Sequence, residues 1–249
     1  MGRFQDPQDD LQQHNIGGTH FGFSAAKIGN LGATEYTLVT VAIDVSGSMD
    51  PFHKVVEDAL KQVVTSCRRS PRADNLMLRV ITFDDTVTEF HGFKPLPSCN
   101  EADYTGCMRH GGMTALNDAS YSGVKAMTQY GKDLVDNDFQ VNAAIFVITD
   151  GMDNVSKTTR TMVAQALVEA RTSEVLESIM PVLIGVNTAA SGLNSYFDAF
   201  KTEAGFQQYV AIGQANEKSL AKLGGFISQS ISSQSQALGS GGPSKSLSF

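Results

Sequence analysis

Two predicted strand ends in this sequence carry closely spaced carboxylates and hydroxyls. An apolar run ends at Asp44, and the hydroxyls of Ser46 and Ser48 follow within four residues. A second apolar run ends at Asp150, which is followed by Gly151. Ligands of open parallel sheets bind at the carboxyl ends of the strands, so we expect both aspartates at one edge of a sheet. Two carboxylates side by side repel each other, and a bound cation is the simplest way to keep both there.

A third segment adds one more hydroxyl. Gly111 and Gly112 precede Thr114 at the start of a predicted helix. Its hydroxyl could bind the cation or cap that helix, and the residues alone leave both roles open. Hard oxygen donors favour Mg²⁺, with Ca²⁺ and Mn²⁺ as alternatives, over zinc or copper. The candidate metal ligands are Asp44, Ser46, Ser48, Thr114 and Asp150.

These segments belong to a chain in which apolar strands alternate with amphipathic helices, the pattern of an α/β domain with a mostly parallel sheet. The strand runs are almost continuously apolar, which is typical of strands that helices cover on both faces. The strands are predicted at 36–43, 76–83, 141–149, 179–186 and 208–212. The helices are predicted between Pro51 and Pro71 and at 115–129, 158–173, 195–204 and 217–230.

Several segments fall outside this alternation. Residues 1–20 lack periodicity and are interpreted as a mobile arm, and 21–32 as an additional short strand or hairpin. Residues 91–112 form either a functional loop or a disordered excursion. The serine-rich end of the chain is predicted to be either a flexible tail or a segment that docks on a neighbouring subunit or partner. In the second case its apolar anchors are Leu238, Leu247 and Phe249.

Composition excludes several classes of function. The chain has 249 residues, with 19 Lys and Arg against 26 Asp and Glu, a net charge of −7, and no basic run. We therefore expect no binding to nucleic acid or to anionic membranes. No apolar stretch approaches the ~20 residues of a membrane span. The first residues lack the apolar core of a signal peptide, which favours a cytoplasmic location. The three cysteines do not make a disulfide framework, although a pair between Cys99 and Cys107 stays open.

The Asp-x-Ser-x-Ser run, the loop threonine and the strand-end Asp-Gly, in this order, resemble the metal-ion-dependent adhesion site (MIDAS) of von Willebrand factor type A (VWA) domains. The resemblance covers residues 34–230, between an arm at 1–33 and a tail at 231–249. It implies a Rossmann-like fold with a doubly wound, mostly parallel six-stranded sheet, one short antiparallel edge strand and about six helices. It also implies that Ser46, Ser48 and Thr114 are hydroxyl ligands, and that Asp44 and Asp150 coordinate the ion directly or through water.

The resemblance further implies a non-enzymatic, stand-alone intracellular module that holds an Asp or Glu of a partner through the ion. Similar proteins work with AAA+ ATPases or in stress-response systems such as those for tellurite. An enzyme has less support, because a phosphotransferase of the haloacid dehalogenase type needs an aspartate where Ser46 stands, and no Gly-x-Ser-x-Gly elbow is present. The alternative is an assembly protein in which the domain is a scaffold, with the arm and tail making the contacts and the tail allowing a homo-oligomer.

Overall fold

The described part of the chain folds around one mixed sheet. The structure is a computed structural model that describes residues 11–108, 111–189, 192–214, 216–241 and 247–249. Its strands are β1 (Leu11–Asn15), β2 (Gly22–Ala26), β3 (Glu35–Asp44), β4 (Leu76–Phe83), β5 (Val87–Pro95), β6 (Gln140–Thr149), β7 (Ile179–Val186) and β8 (Gln208–Ile212). They form one eight-stranded sheet in the order β1-β2-β5-β4-β3-β6-β7-β8.

Helices cover both faces of this sheet. They are α1 (His53–Arg68), α2 (Leu116–Val135), α3 (Arg160–Thr172), α4 (Leu193–Ala204) and α5 (Glu217–Ser240). One apolar core lies between the sheet and α2, α3 and α4, and the other lies between the sheet and α1 and α5. In the part of the chain that the structure describes, no helix is both long enough and apolar enough to cross a membrane.

The doubly wound, mostly parallel α/β architecture is confirmed. Strands β4, β3, β6, β7 and β8 run parallel to one another, and only β5, β2 and β1 introduce antiparallel pairs. Every residue of β4 and of β7 is buried, because helices pack on both faces of these strands. The predicted bounds of β4, β7 and β8 match the structure residue for residue.

The sheet has eight strands rather than the predicted six. Strand β2 lies within 21–32, where the sequence predicts an additional short strand or hairpin, whereas β1 was not predicted. Strands β1 and β2 form an antiparallel hairpin, and Ala25 of β2 pairs with Phe93 of β5. Ser24 donates from its amide and its hydroxyl to Glu89 at 2.9 and 2.6 Å. Gly92 permits this contact, since a Cβ there would lie 1.9 Å from the carbonyl oxygen of Ser24. The antiparallel strand expected at the edge, β5, is therefore internal, and 11–15 is a strand rather than part of a mobile arm.

The segment predicted as a loop or disordered excursion is largely ordered. Residues 91–95 complete β5, and short 3₁₀ turns follow at Leu96–Ser98 and Glu101–Tyr104. The side chain of Tyr104 is buried, and its hydroxyl lies 2.8 Å from Nε2 of His91. Residues 109 and 110 of the predicted loop lie outside the described residues.

The serine-rich end of the chain is helical where a tail was predicted. Helix α5 continues to Ser240 rather than ending at 230. The side chain of Gln234 on this extension donates to the carbonyl of Ala143 at 3.1 Å and to the hydroxyl of Ser178 at 2.8 Å. Leu238 is buried, and Leu247 and Phe249 pack against the core under α1 and α5. The three predicted docking anchors therefore contact this chain itself.

All three cysteines are buried free thiols, so Cys99 and Cys107 do not form the disulfide that the sequence left open. Burial raises the pKa of Cys67 to about 12 and that of Cys107 to about 11. The low thiolate fraction that follows disfavours both metal binding and nucleophilic chemistry at these sulfurs.

Candidate metal centre

The register of the sheet brings the two predicted strand ends together. Strands β3 and β6 are parallel neighbours whose last paired residues are Ile43 and Ile148. Asp44 ends β3 and Thr149 ends β6, and Asp150 comes next in the chain. Both predicted aspartates therefore stand at the same carboxyl edge, as parallel pairing requires.

Asp44 is a completely buried carboxylate with neutral hydrogen-bond donors. Its exposed fraction is 0%. One carboxylate oxygen accepts the amide of Ser46 at 2.8 Å, and the other accepts the hydroxyl of Thr149 at 2.5 Å. Burial raises the pKa of Asp44 to about 6; the bonds from Ser46 and Thr149 oppose this rise, and the charge of Asp150 adds to it. A cation would relieve both the burial cost and the repulsion.

The two serines connect the first strand end to the second. The hydroxyls of Ser46 and Ser48 lie 3.2 Å apart, and that of Ser48 donates to Asp150 at 2.7 Å. Ser46 is buried, Ser48 is exposed and Asp150 is half-buried, with its pKa raised mainly by burial. The cluster is therefore closed on the side of Asp44 and open to solvent on the side of Ser48.

Thr114 lies beside the second strand end. Helix α2 takes Ala115 as its N-cap, so the capping role left open for the Thr114 hydroxyl does not occur. The amide of Thr114 donates to the side chain of Asn154 at 2.8 Å, and the amide of Asn154 donates to the carbonyl of Thr114 at 3.1 Å. A Cβ on Gly151 would lie 3.0 Å from the Thr114 hydroxyl oxygen, so this hydroxyl faces the residue after Asp150.

Several residues outside the predicted ligand set hold this geometry. Thr149 fixes the carboxylate of Asp44, and Asn154 fixes the backbone of Thr114. Asp85, in the turn between β4 and β5, accepts the amide of Met113. Gly112 has a φ of +66°, and a Cβ there would lie 2.5 Å from a carboxylate oxygen of Asp85. Thr149 and Gly112 had a usable signal in the sequence, since Thr149 directly precedes Asp150 and Gly112 belongs to the glycine pair before Thr114.

Two neighbouring aspartates, Asp118 and Asp153, accept hydrogen bonds that join the loop after β6 to the start of α2. Asp118 accepts the amide and hydroxyl of Thr158 at 2.8 and 2.7 Å and the amide of Lys157 at 3.1 Å. Asp153 accepts the amide of Asn117 at 2.8 Å. These bonds tie the loop after β6 to the first turn of α2, and so hold the Thr114 and Asp150 loops against each other.

The donor set fits a hard divalent ion. It offers two carboxylates and three hydroxyls, oxygen ligands of the kind that Mg²⁺ and Ca²⁺ take in proteins. Within the described ranges, no three His, Cys, Asp or Glu side chains come together as a metal-binding group, so the candidate ligands are carboxylates and hydroxyls in combination. Chemically, the cluster can hold a cation at an edge that solvent reaches on one side.

No protein-family profile matches this chain, and no curated protein does. The fold is similar to that of the PilB minor pilin from Streptococcus sanguinis, at a TM-score of 0.60 and 15% identity over 85% of this chain and 64% of that one. The fold is also similar to that of the pilus adhesin SpaC from Lactobacillus rhamnosus GG, at a TM-score of 0.57 and 10% identity over 85% of this chain and 31% of that one. A third similar structure is that of proximal thread matrix protein 1 from the mussel byssus, which is described with a zinc-occupied MIDAS motif. Its TM-score is 0.50, at 18% identity over 80% of this chain and 46% of that one. This chain spans less than two thirds of each of these proteins, and at such identities the likeness shows the fold alone.

Proposed function

We propose that this chain is a VWA-type protein-interaction module, which binds a divalent cation at the carboxyl edge of its sheet and through it holds an Asp or Glu of a partner. The observation that carries the proposal is the buried carboxylate of Asp44. Among the residues that the structure describes, it accepts bonds only from neutral donors, and it lies beside hydroxyls that lead to the half-buried Asp150. Mg²⁺ is the ion we propose.

In this proposal each residue has a distinct task. Asp44 supplies a fixed negative charge, since Ser46 and Thr149 hold both of its oxygens. Ser48 and Asp150 supply oxygens on the open side, where a partner can approach. Thr114 supplies the remaining hydroxyl from the loop that Asn154 holds. A bound divalent ion with two carboxylates nearby keeps exchangeable water and can accept one more anionic oxygen.

We also propose that the module is not an enzyme. The support is the presence of Ser46 at the position where a second catalytic carboxylate would be needed.

The partner and the location remain predictions. The sequence resemblance favours a cytoplasmic module that works with an AAA+ ATPase or a stress-response protein, whereas two of the structural neighbours are named as pilus proteins. An assembly protein that docks through its tail has less support, because Leu238, Leu247 and Phe249 already pack within this chain.

Affinity capture from the native host, with Mg²⁺ and with a chelator, tests the proposal. We expect a partner to be retained by the wild type with Mg²⁺ and lost with the chelator. It should also be lost with Asp44→Ala. Asp136→Asn is the matched control, because this exposed aspartate at the end of α2 pairs with Lys132. Equal retention under all conditions would contradict the metal bridge.

A further inference from the structure

We propose that the partner segment reaching the candidate metal centre carries a single carboxylate flanked by apolar side chains, which pack on Met113 and Met152. This inference rests on the proposed function, since the carboxylate is the group that the ion would hold. It adds the kind of side chain that lies on either side of that carboxylate in the partner segment.

Two exposed methionines flank the candidate ligands. Met113 precedes Thr114 and has an exposed fraction of 48%; Met152 follows Gly151 and has 42%. Single exposed apolar residues are common on protein surfaces and need no explanation. These two, however, stand on the loops that supply Thr114 and Asp150, whereas the other large apolar side chains exposed among the described residues lie on α2 and α3. Those others are Val135, Met162 and Val168.

The structure holds these two loops side by side. Thr114 and Asn154 exchange hydrogen bonds, and the Thr114 hydroxyl faces Gly151. Met113 precedes Thr114 and Met152 follows Gly151, so the two methionines flank this contact and belong to one surface around the candidate metal ligands. Methionine has a flexible, polarizable side chain that adapts to irregular apolar surfaces, and it is over-represented where a surface accepts varied partners.

The charges around this surface disfavour a strongly acidic segment. Asp85 binds the amide of Met113, and Asp153 binds that of Asn117, so both carboxylates are built into the loops beside the cluster. Further acidic residues of a partner would face these two carboxylates as well as the ion, which disfavours a segment that carries several of them. A lone carboxylate between apolar side chains fits both the ion and its surroundings.

The test is selection from a random-peptide phage library on the immobilised protein in Mg²⁺, with elution by a chelator. We expect the eluted peptides to be enriched in one Asp or Glu flanked by Leu, Ile, Phe or Met. Enrichment of a carboxylate without apolar flanks would overturn this inference and leave the proposed function standing. Chelator elution that enriches no carboxylate-bearing peptide would overturn both.

Variants then test the surface itself with one selected peptide as the probe. Met113→Ser combined with Met152→Ser should weaken its binding about tenfold, as expected for losing partial burial of two apolar side chains. Met162→Ser on α3, whose exposed fraction is 36%, is the matched control and should leave affinity unchanged. Equal affinity of the double variant and the wild type would overturn the assignment of these residues. All three side chains are exposed, and circular dichroism checks that each variant is folded.

Discussion

Two fully buried charges in this sheet, Asp44 and Arg79, have opposite surroundings. The guanidinium of Arg79 on β4 is 1% exposed and donates to Glu89 at 2.7 Å, so its charge is balanced within the chain. Asp44 on β3 is equally buried but accepts bonds from the neutral groups of Ser46 and Thr149. A buried charge is costly unless it is paired. Arg79 therefore has the surroundings of a structural residue, whereas Asp44 has those of a site that an added cation would complete.

The pair of Arg79 and Glu89 also explains how the extra hairpin is held. Glu89 accepts the amide and hydroxyl of Ser24 on β2 in addition to the guanidinium of Arg79. The same carboxylate thus balances a buried charge and anchors β2 to β5. Burial lowers the pKa of Arg79, and the charge of Glu89 opposes that fall. Loss of Glu89 should therefore affect both stability and the attachment of the hairpin.

The largest expected effect is on stability and comes from Glu89→Gln. Removing one partner leaves the guanidinium of Arg79 buried without a counter-charge, which typically costs about 3–5 kcal/mol of unfolding free energy. Denaturant unfolding in the presence of a chelator measures it. Glu169→Gln, which removes the exposed pair with Lys125, is the control and should cost less than ~1 kcal/mol. A loss for Glu89→Gln as small as that of the control would mean that Arg79 needs no partner.

Asp44→Asn should have the opposite profile: little loss of stability, but a loss of metal binding. Removing one of the two candidate carboxylate ligands should lower Mg²⁺ affinity about a hundredfold, since affinity at such sites follows the charge of the ligands. Calorimetric titration with Mg²⁺, Mn²⁺ and Ca²⁺ measures it, with Asp136→Asn as a control of equal charge change. Wild-type affinity in Asp44→Asn would show that the ion, if bound, lies elsewhere.

Thr149→Val tests whether the fixed orientation of Asp44 matters. Valine keeps the shape of the side chain but removes the hydroxyl that donates to Asp44 at 2.5 Å. Groups that orient metal ligands typically contribute about tenfold or more to affinity, so we expect about a tenfold loss. Thr202→Val on α4, whose hydroxyl bonds a carbonyl of its own helix, is the matched control. An unchanged metal affinity in Thr149→Val would show that the Thr149 hydroxyl does not orient Asp44 for metal binding.

The sequence predicts the centre of this fold better than its margins. Strands β4, β7 and β8 are recognisable because their side chains are largely apolar. Strand β1 was missed because Gln12 and Gln13 are exposed and the strand is held by backbone pairing. The end of α5 was missed because serines are typical of tails, and nothing in the spacing shows that Gln234 bonds to Ala143.

The candidate site, like the fold, was predicted only in part from the sequence. The positions of Asp44, Ser46, Ser48 and Asp150 follow from strand ends and parallel pairing, which periodicity reveals. Asn154 and Asp85 were missed because their bonds to Thr114 and Met113 join distant parts of the chain. Such contacts arise from tertiary packing, which leaves no spacing pattern in one sequence.

The smallest expected effect is a pH dependence that separates Asp44 from the rest of the molecule. Its pKa is about 6 in the folded protein against an ordinary value of 3.8, so between these pH values the folded state binds more protons than the unfolded state. Stability of the metal-free protein should therefore rise by about 1 kcal/mol through this group as pH falls from about 7 to 5. Unfolding of the wild type and Asp44→Asn at both pH values, with a chelator present, isolates the contribution, because every other titrating group is shared. Identical pH profiles for the two proteins would mean that Asp44 is already compensated within the chain, as Arg79 is, and would remove the physical reason for a cation at this edge.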